Sequence, residues 1–438
     1  MEALSLLALV SFAATGPLSL DDALALAAKR NADLQIARAD ADTAVTDLRA
    51  SYQGVLPRLD LSADAGHQSL GEQQQLGFPE VPPTPKTDYD LFQYGINFNW
   101  TLFDGLGSWN RIASSRNQSN AAARQYDESS LRVSFEVIRR FYEVVRQQRS
   151  LEVRRETADL SAELVKRADA LFGAGRGTRA DTYNARVNLG NDQLAVRAQS
   201  AALVQARSDL AVVLGLPSQA GLEVRVPEVV AGSGPPPAQT LPVLSTLLAR
   251  AREARPLLAS VRLSGRAADE EIARARAAYW PVLGVQLSYQ RQAQRASGSF
   301  GLFGNPAHQY TTSAQVTLGW NVFSGGATRA GVQRAEVQAR RAQAVVEQAE
   351  ETVAAEVTNA HEQVASLSDS IATLQQVLDS AEKGLRAARE RLEAGAGSQL
   401  EVRDATLKLS EARLTWVSTV IDLVVARADL NRAVGGGL

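Results

Sequence analysis

Apolar residues recur along most of this chain in alternating steps of three and four. Leu131, Phe135, Ile138, Tyr142 and Val145 follow that rule, as do Leu374, Leu378, Ala381, Leu385, Ala388 and Leu392. Leu407, Ser410, Leu414, Val417, Ile421, Val424 and Ala428 continue it. This is the seam of a coiled coil, and the frequent alanines let neighbouring helices approach closely. Residues 108–172 contain neither Gly nor Pro, the two residues that stop helices. As one helix that run is about 100 Å long at ~1.5 Å per residue, too long for a globular core, so it must lie against other helices. The pattern predicts three helices in each half of the chain: 19–54, 108–172 and 178–214, then 241–278, 327–394 and 398–434.

Between these helices the period changes from 3.6 to 2. Leu59, Leu61, Ala63 and Ala65 alternate with Asp60, Ser62 and Asp64. Phe92, Tyr94, Ile96, Phe98, Trp100 and Leu102 alternate with Gln93, Gly95, Asn97, Asn99 and Thr101. The second half repeats this with Leu283, Val285, Leu287 and Tyr289, then with Tyr310 to Val322. Strands are therefore predicted at 58–70, 90–103, 282–296 and 309–323. One face is apolar and the other carries small neutral polar groups, which suits a strand between lipid and water. The other reading is an ordinary sheet packed on the helices. Residues 89–109 and 279–323 hold 15 of the 25 aromatics, which favours the barrel because membrane barrels carry aromatic girdles.

The two halves are copies. Trp100-Thr-Leu-Phe103-Asp-Gly105 matches Trp320-Asn-Val-Phe323-Ser-Gly325, and Gly175-Arg-Gly177-Thr178 matches Gly395-Ala-Gly397-Ser398. In the same ungapped register Ala206-Arg207-x-Asp209-Leu210 meets Ala426-Arg427-x-Asp429-Leu430, and Gly215 meets Gly435. About 25 of the 116 positions from Trp100 to Gly215 are identical, so the fold is read as a duplication. The first repeat spans 17–217, the second 241–438, and the Pro/Gly-rich stretch 218–240 links them. All 15 prolines fall in 17–85 or 217–306, outside the long helical runs. The glycines at 173–177 and 395–397 mark where a long helix reverses. Thr178-x-x-Asp181 and Ser398-x-x-Glu401 then read as capping boxes, or close relatives, for the returning helix.

Composition adds mostly exclusions. A net charge of -2 gives no basic excess to attract nucleic acid, and there is no cysteine for a disulfide, a thiolate metal site or N-terminal lipidation. His67, His308 and His361 are too far apart in sequence to make a ligand pair. No cofactor is expected. The apolar run within residues 1–16 has the core and small-residue exit of a secretory signal, without the usual basic start. A buried first strand or a misassigned start are the other readings. No other run reaches the length of a membrane-spanning helix, so a membrane role falls to the strands. Gly173-Ala-Gly-Arg-Gly-Thr has no preceding strand and no lysine, so a phosphate loop is not supported, and no constellation points to an enzyme.

Four strands cannot close a membrane barrel, which needs about eight, and open edges are not tolerated in lipid. The chain must share its barrel with copies of itself. Two chains would give eight strands and a filled lumen; three would give twelve and an open one, the better match to polar-faced strands.

With these features the chain resembles the outer-membrane efflux protein family, the TolC-like channel-tunnels. The resemblance rests on the doubled W-x-[LV]-F-x-G and on the doubled [AG]-x-G-[TS] tips. It rests also on Asp181-x-x-Asn184-Ala185 with Glu401-x-x-Asp404-Ala405, the doubled A-R-x-D-L-x-x-x-x-G, and the opening Leu18-Ser-Leu-Asp-Asp-Ala-Leu-Ala-Leu-Ala-x-x-x-Asn31. It implies a homotrimeric exit duct: a twelve-stranded β-barrel in the outer membrane, continuous with an α-helical barrel reaching across the periplasm of a Gram-negative bacterium. It also implies partners, namely outer-membrane lipid, a periplasmic adaptor and an inner-membrane pump of RND, ABC or MFS type. Carried over, the adaptor-docking tips fall on Gly175, Gly177, Thr178, Gly395, Gly397 and Ser398, and an acidic constriction on Asp181, Glu401 and Asp404. The aromatic girdle falls on Trp100, Phe103, Trp320 and Phe323. The second tip is about two residues shorter than in the best-known members, which shifts the register of the gate. The competing expectation is a periplasmic coiled-coil scaffold with no pore.

Overall fold

The computed structural model describes residues 16–71, 86–217, 221–231, 240–296 and 309–437. The signal-like run within 1–16 lies outside the described residues except for Gly16. Residues 218–220 and 232–239 of the linker, and most of the two strand-joining loops, with His308, also lie outside them. The chain forms two compact units, one of residues 1–40, 123–259 and 347–438, the other of 41–122 and 260–346.

The second unit holds the strands β1 (Arg58–Leu70), β2 (Thr87–Phe103), β3 (Val282–Ala296) and β4 (Gln309–Gly319). They form one antiparallel sheet in the order β1-β2-β3-β4, so the hairpins of the two repeats are joined by β2 and β3. The register carries one face through all four strands. Leu61 faces Ile96, Ile96 faces Tyr289, and Tyr289 faces Thr312; Phe98 faces Leu287, and Leu287 faces Ala314. Large apolar residues on this face, including Leu59, Leu61, Ile96, Leu287, Val316 and Leu318, remain exposed. On the other face Asn97 pairs with Ser288 and Ser288 with Ser313, whose hydroxyls lie 2.7 Å apart. Trp100 donates its indole N–H to the Val55 carbonyl at 3.0 Å, and Trp320 donates to the Tyr279 carbonyl at 3.1 Å. Each doubled tryptophan thus ties a strand end to its own hairpin's entry.

The long helices are α3 (Gly107–Gly173) and α8 (Ala327–Glu393), of 67 residues each; α4 (Arg179–Val213) and α9 (Gln399–Ala433) return with 35 each. The long helices of the two halves are thus equal in length, and so are the returning ones. In the first unit Phe141, Val137, Val145, Leu210, Leu214, Val357 and Ile421 are fully or almost fully buried. Burying Phe141 alone is worth roughly 1.5–3 kcal/mol relative to leaving it in water.

The stretches expected as single helices at 19–54 and 241–278 are each broken. The first divides into α1 (Leu20–Arg30) and α2 (Ala32–Ser51), with a short 3-10 turn at Tyr52–Gly54. Asn31 sits at the break with extended backbone; its amide donates to the Val213 carbonyl at 2.8 Å and its carbonyl accepts from Leu34 N–H at 3.1 Å. One side chain thereby caps the start of α2 and meets the last carbonyl of α4, while the backbone N–H of Asn31 closes α1 on the Ala27 carbonyl. The second divides into α6 (Leu244–Ala254) and α7 (Pro256–Ala277) at Arg255, because a residue preceding proline is pushed out of the helical region. A four-residue turn of helix, α5 (Glu228–Ala231), precedes them.

These breaks explain the glycine ending each A-R-x-D-L-x-x-x-x-G copy. Gly215 has φ +69°, and a Cβ there would lie 2.4 Å from the Arg30 carbonyl oxygen; Gly435 has φ +93° and would meet Ala254 at 2.8 Å. Only glycine allows the end of a returning helix to approach the broken one. Strand β4 is also shorter than the expected 309–323. Residues 320–323 lie beyond the start of β3 and have no neighbouring strand among the described residues, whereas their equivalents, 100–103, are held by Val285, Gly284 and Leu283.

Candidate docking tips, constriction and membrane face

Both helix reversals lie in the first unit and share one backbone design. After α3, Gly175 adopts φ +72°, Arg176 N–H donates to the Leu171 carbonyl at 2.8 Å, and Gly175 N–H donates to Phe172 at 3.0 Å. After α8, Gly395 has φ +73°, Ala396 N–H donates to Arg391 at 2.9 Å, and Gly395 N–H to Leu392 at 3.2 Å. Each is a Schellman closure, which satisfies carbonyls that a helix end leaves free. Gly177 and Gly397 have a different reason to be glycine. A Cβ on Gly177 would lie 3.2 Å from Leu171 Cβ, and one on Gly397 would lie 3.0 Å from Leu392 N. Gly175 and Gly395 supply conformation; Gly177 and Gly397 supply clearance.

Thr178 caps α4 with a complete capping box. Its hydroxyl accepts from Asp181 N–H at 3.2 Å, while the Asp181 carboxylate accepts from Thr178 N–H at 3.1 Å and from its hydroxyl at 2.7 Å. These two donors, the hydroxyl first, hold the exposed Asp181 carboxyl below its ordinary value. The second box is half made. Ser398 accepts from Glu401 N–H at 3.2 Å, but the Glu401 carboxylate lies 3.7 Å from Arg391. The arginine ending α8 draws that carboxylate away from the cap. Ala174, Gly175, Arg176 and Thr178 are exposed, as are Ala394, Gly395, Ala396 and Ser398. The tips differ in chemistry: Arg179 lies over the Phe172 ring at 5.6 Å in the first, and Leu400 is exposed in the second.

Asp404 is exposed one turn further into α9, and Lys408 lies 2.8 Å away on the same helix. The carboxylate beside it raises the Lys408 pKa. The i,i+4 spacing of this pair is legible in the sequence, although the acidic reading of the tip does not use it. Four further contacts within the first unit had no local signal. Arg403 reaches Asp192 at 2.5 and 3.0 Å and Ser161 at 2.8 Å, Arg167 donates to the Leu392 carbonyl at 3.0 Å, and Thr157 donates to Ser410 at 3.1 Å. Through them α9 and the end of α8 are fastened to α3 and α4. The Arg403–Asp192 pair is largely buried. The structure thus gathers Asp181 with Thr178, and Glu401 with Ser398 and Arg391, while Asp404 pairs with neither set.

Trp100 and Phe103 belong to β2, whereas Trp320 and Phe323 stand beyond β4. All four are exposed. None of the helices, over the described residues, is long and apolar enough to cross a membrane.

Comparison with known proteins extends this geometry. The profile of a family described as outer membrane efflux protein matches residues 23–216 and 247–436, one segment per repeat. The chain is 23% identical over 354 residues to the outer membrane efflux protein BepC of Brucella suis, covering 80% of this chain and 74% of that one. It is 24% identical over 416 residues to the toluene efflux pump outer membrane protein TtgI of Pseudomonas putida, covering 94% and 84%. Among solved structures, the Campylobacter jejuni CmeC outer membrane channel superposes with a TM-score of 0.80 at 17% identity, covering 96% of this chain and 86% of that one. The outer membrane protein VceC of Vibrio cholerae superposes with a TM-score of 0.77 at 19% identity, covering 95% and 96%.

Proposed function

Because this chain belongs to the outer membrane efflux protein family, we propose that it is the exit duct of a tripartite efflux or type I secretion system in a Gram-negative outer membrane. In this reading three copies close a twelve-stranded barrel, their helices continue as a tube into the periplasm, and cargo passes through without chemistry. No catalytic residue enters it.

The observation that carries the reading is the state of the sheet. It has an apolar face, and both outer strands present an edge with no neighbour among the described residues. An edge strand in lipid leaves backbone groups unsatisfied at several kcal/mol each, so closure with other copies is required. The repeat supplies the mating rule. Leu59 faces Phe98 in one hairpin, and the equivalent Leu283 faces Leu318 in the other, so the two hairpins share one internal register. Within the chain Trp100 of the first hairpin faces Val285 of the second. Applied again, that junction sets Trp320 opposite Leu61 of the next copy, Leu318 opposite Ala63 and Val316 opposite Ala65. The apolar face then continues across the seam, and residues 320–323 gain a neighbour. Detergent-solubilised protein is expected to have the mass of three chains and to conduct ions in planar bilayers. A stable water-soluble monomer overturns the proposal.

The exposed turns at Gly175–Thr178 and Gly395–Ser398 are the adaptor-docking tips of this reading, with an RND, ABC or MFS pump beyond the adaptor. Ala396 is exposed between the two constrained glycines of its turn, so Ala396→Trp tests docking without disturbing either. Export should fail while trimers form in normal yield; export at the wild-type rate would remove the tip from docking.

A further inference from the structure

One residue among those described is a non-glycine with positive φ: Leu106, at +68°. It occupies the last central position of the turn Asp104–Gly107, closed by Gly107 N–H to the Asp104 carbonyl at 3.3 Å, and Gly105 before it has φ +68°. Two successive left-handed residues make a type I′ turn, in which Gly, Asn or Asp is favoured. The second repeat builds the same turn from Ser324 to Ala327, closed at 3.2 Å, with Gly325 at φ +61° and Gly326 at φ +87°. The helix that follows is capped alike in both copies, Ser108 N–H donating to Asp104 Oδ2 at 2.7 Å and Thr328 N–H to Ser324 Oγ at 3.2 Å. Glycine therefore suffices for the geometry. Leucine holds it under strain, because its Cβ crowds the neighbouring carbonyl.

The strain is not repaid inside the chain, since Leu106 is 56% exposed. It stands among other large exposed residues: Leu56 at 60%, Trp109 at 58% and Trp280 at 61%. They gather at one end of the sheet. A Cβ on Gly105 would meet Trp280 Cβ at 2.7 Å, so Trp280 lies against the turn. Ser108 donates to the Gly54 carbonyl at 3.1 Å, which brings the segment carrying Leu56 to the same place. The patch continues from the apolar face of the sheet, as Phe103 ends β2 three residues before Leu106. Leucine with exposed indoles is the composition of a surface lodged among lipid headgroups and the first methylenes.

We propose that Leu106, Leu56, Trp109 and Trp280 form a collar that dips into the periplasmic leaflet. The lipid boundary then lies beyond the strand ends, on the helix side of Trp100 and Trp320, whose indole N–H groups are already committed to backbone carbonyls. The collar rests on the barrel reading, and lipid rather than a second copy is its occupant.

The chain contains no cysteine, so single labels report unambiguously. Leu106→Cys and, as a second site within regular helix, Trp109→Cys are labelled with an environment-sensitive fluorophore in the intact protein. The protein is then reconstituted in phosphatidylethanolamine–phosphatidylglycerol vesicles, and Ala65→Cys, midway along β1, serves as the deep reference. The collar requires 5-doxyl lipid to quench labels 106 and 109 at least twofold more than 12-doxyl lipid, with little quenching by aqueous iodide. The reference should prefer 12-doxyl lipid. If label 65 is beyond the reach of both lipids, the barrel reading fails and the collar with it. If label 65 is quenched from lipid while 106 and 109 answer only to iodide, or are shielded from every quencher by a neighbouring copy, the collar alone is overturned.

Discussion

The seam between copies can be tested to a single residue. Transferring the β2–β3 junction to β4 and the next copy's β1 sets Thr317 opposite Asp64, the equivalents of the observed pair Asn97 and Ser288. Directly opposed residues have Cα atoms about 4.5–5.5 Å apart, inside the ~4.4–6.8 Å window of a disulfide. Moving two residues along the strand adds about 6.8 Å at right angles, so the separation rises to roughly 8–9 Å and no bridge forms. Moving one residue turns the side chain to the other face. Paired cysteines at Thr317 and Asp64 should therefore convert the protein to covalent dimers and trimers on oxidation. Thr317 with Ser62 or Gly66 should not, and neither should Thr317 with Ala63 or Ala65. Because the chain has no cysteine of its own, non-reducing electrophoresis reads the result directly. A bridge at 62 or 66 with none at 64 would show that the repeat does not set the register. Failure at every position would show that these two edges do not meet.

Arg255 is 1% exposed and lies 2.7 Å from the nearly buried Glu128 and 3.3 Å from Glu356. Arg255→Ala strands Glu128 without its cation and should cost about 3–5 kcal/mol, read as a lower unfolding midpoint in denaturant; an unchanged midpoint would mean the network is not needed. Asp181 carries a pH signature. Its folded pKa is depressed below 3.8, so its cap contributes fully above that value and is lost as pH falls through the lower folded one. Amide exchange at 181–182 should thus be slower in wild type than in Asp181→Asn at neutral pH, and equal once the carboxyl is protonated. At the proposed constriction, Asp404→Asn should reduce cation selectivity and trivalent-cation block in planar bilayers, with trimer stability little changed and Asp181→Asn doing less. Lys408→Gln should move both properties the opposite way, because it removes the cation paired with Asp404; equal effects from Asp404→Asn and Asp181→Asn would take Asp404 out of the gate.

What the sequence determined was whatever depends on neighbours a few residues away. The Gly- and Pro-free run 108–172 lies within α3, the alternation from Phe92 to Trp100 marks the exposed apolar face of β2, and Thr178-x-x-Asp181 is a complete box. Period, breaker and cap are local properties, so they survive without knowledge of what packs where. The ungapped match of two halves added the repeat, and with it the equal helix lengths. Tertiary structure decided everything that joins distant residues. It divides the stretch 19–54 at Asn31, whose amide finds Val213, and turns Glu401 toward Arg391 rather than its own cap. It separates the tip glycines into two that need a left-handed backbone and two that need room. It buries Arg403 against Asp192, a pair that no spacing announces because the two are 211 positions apart. It also ends β4 at Gly319, four residues short of its pattern. A strand's propensity is local, but its hydrogen bonds belong to a neighbour, and residues 320–323 have none among the described residues.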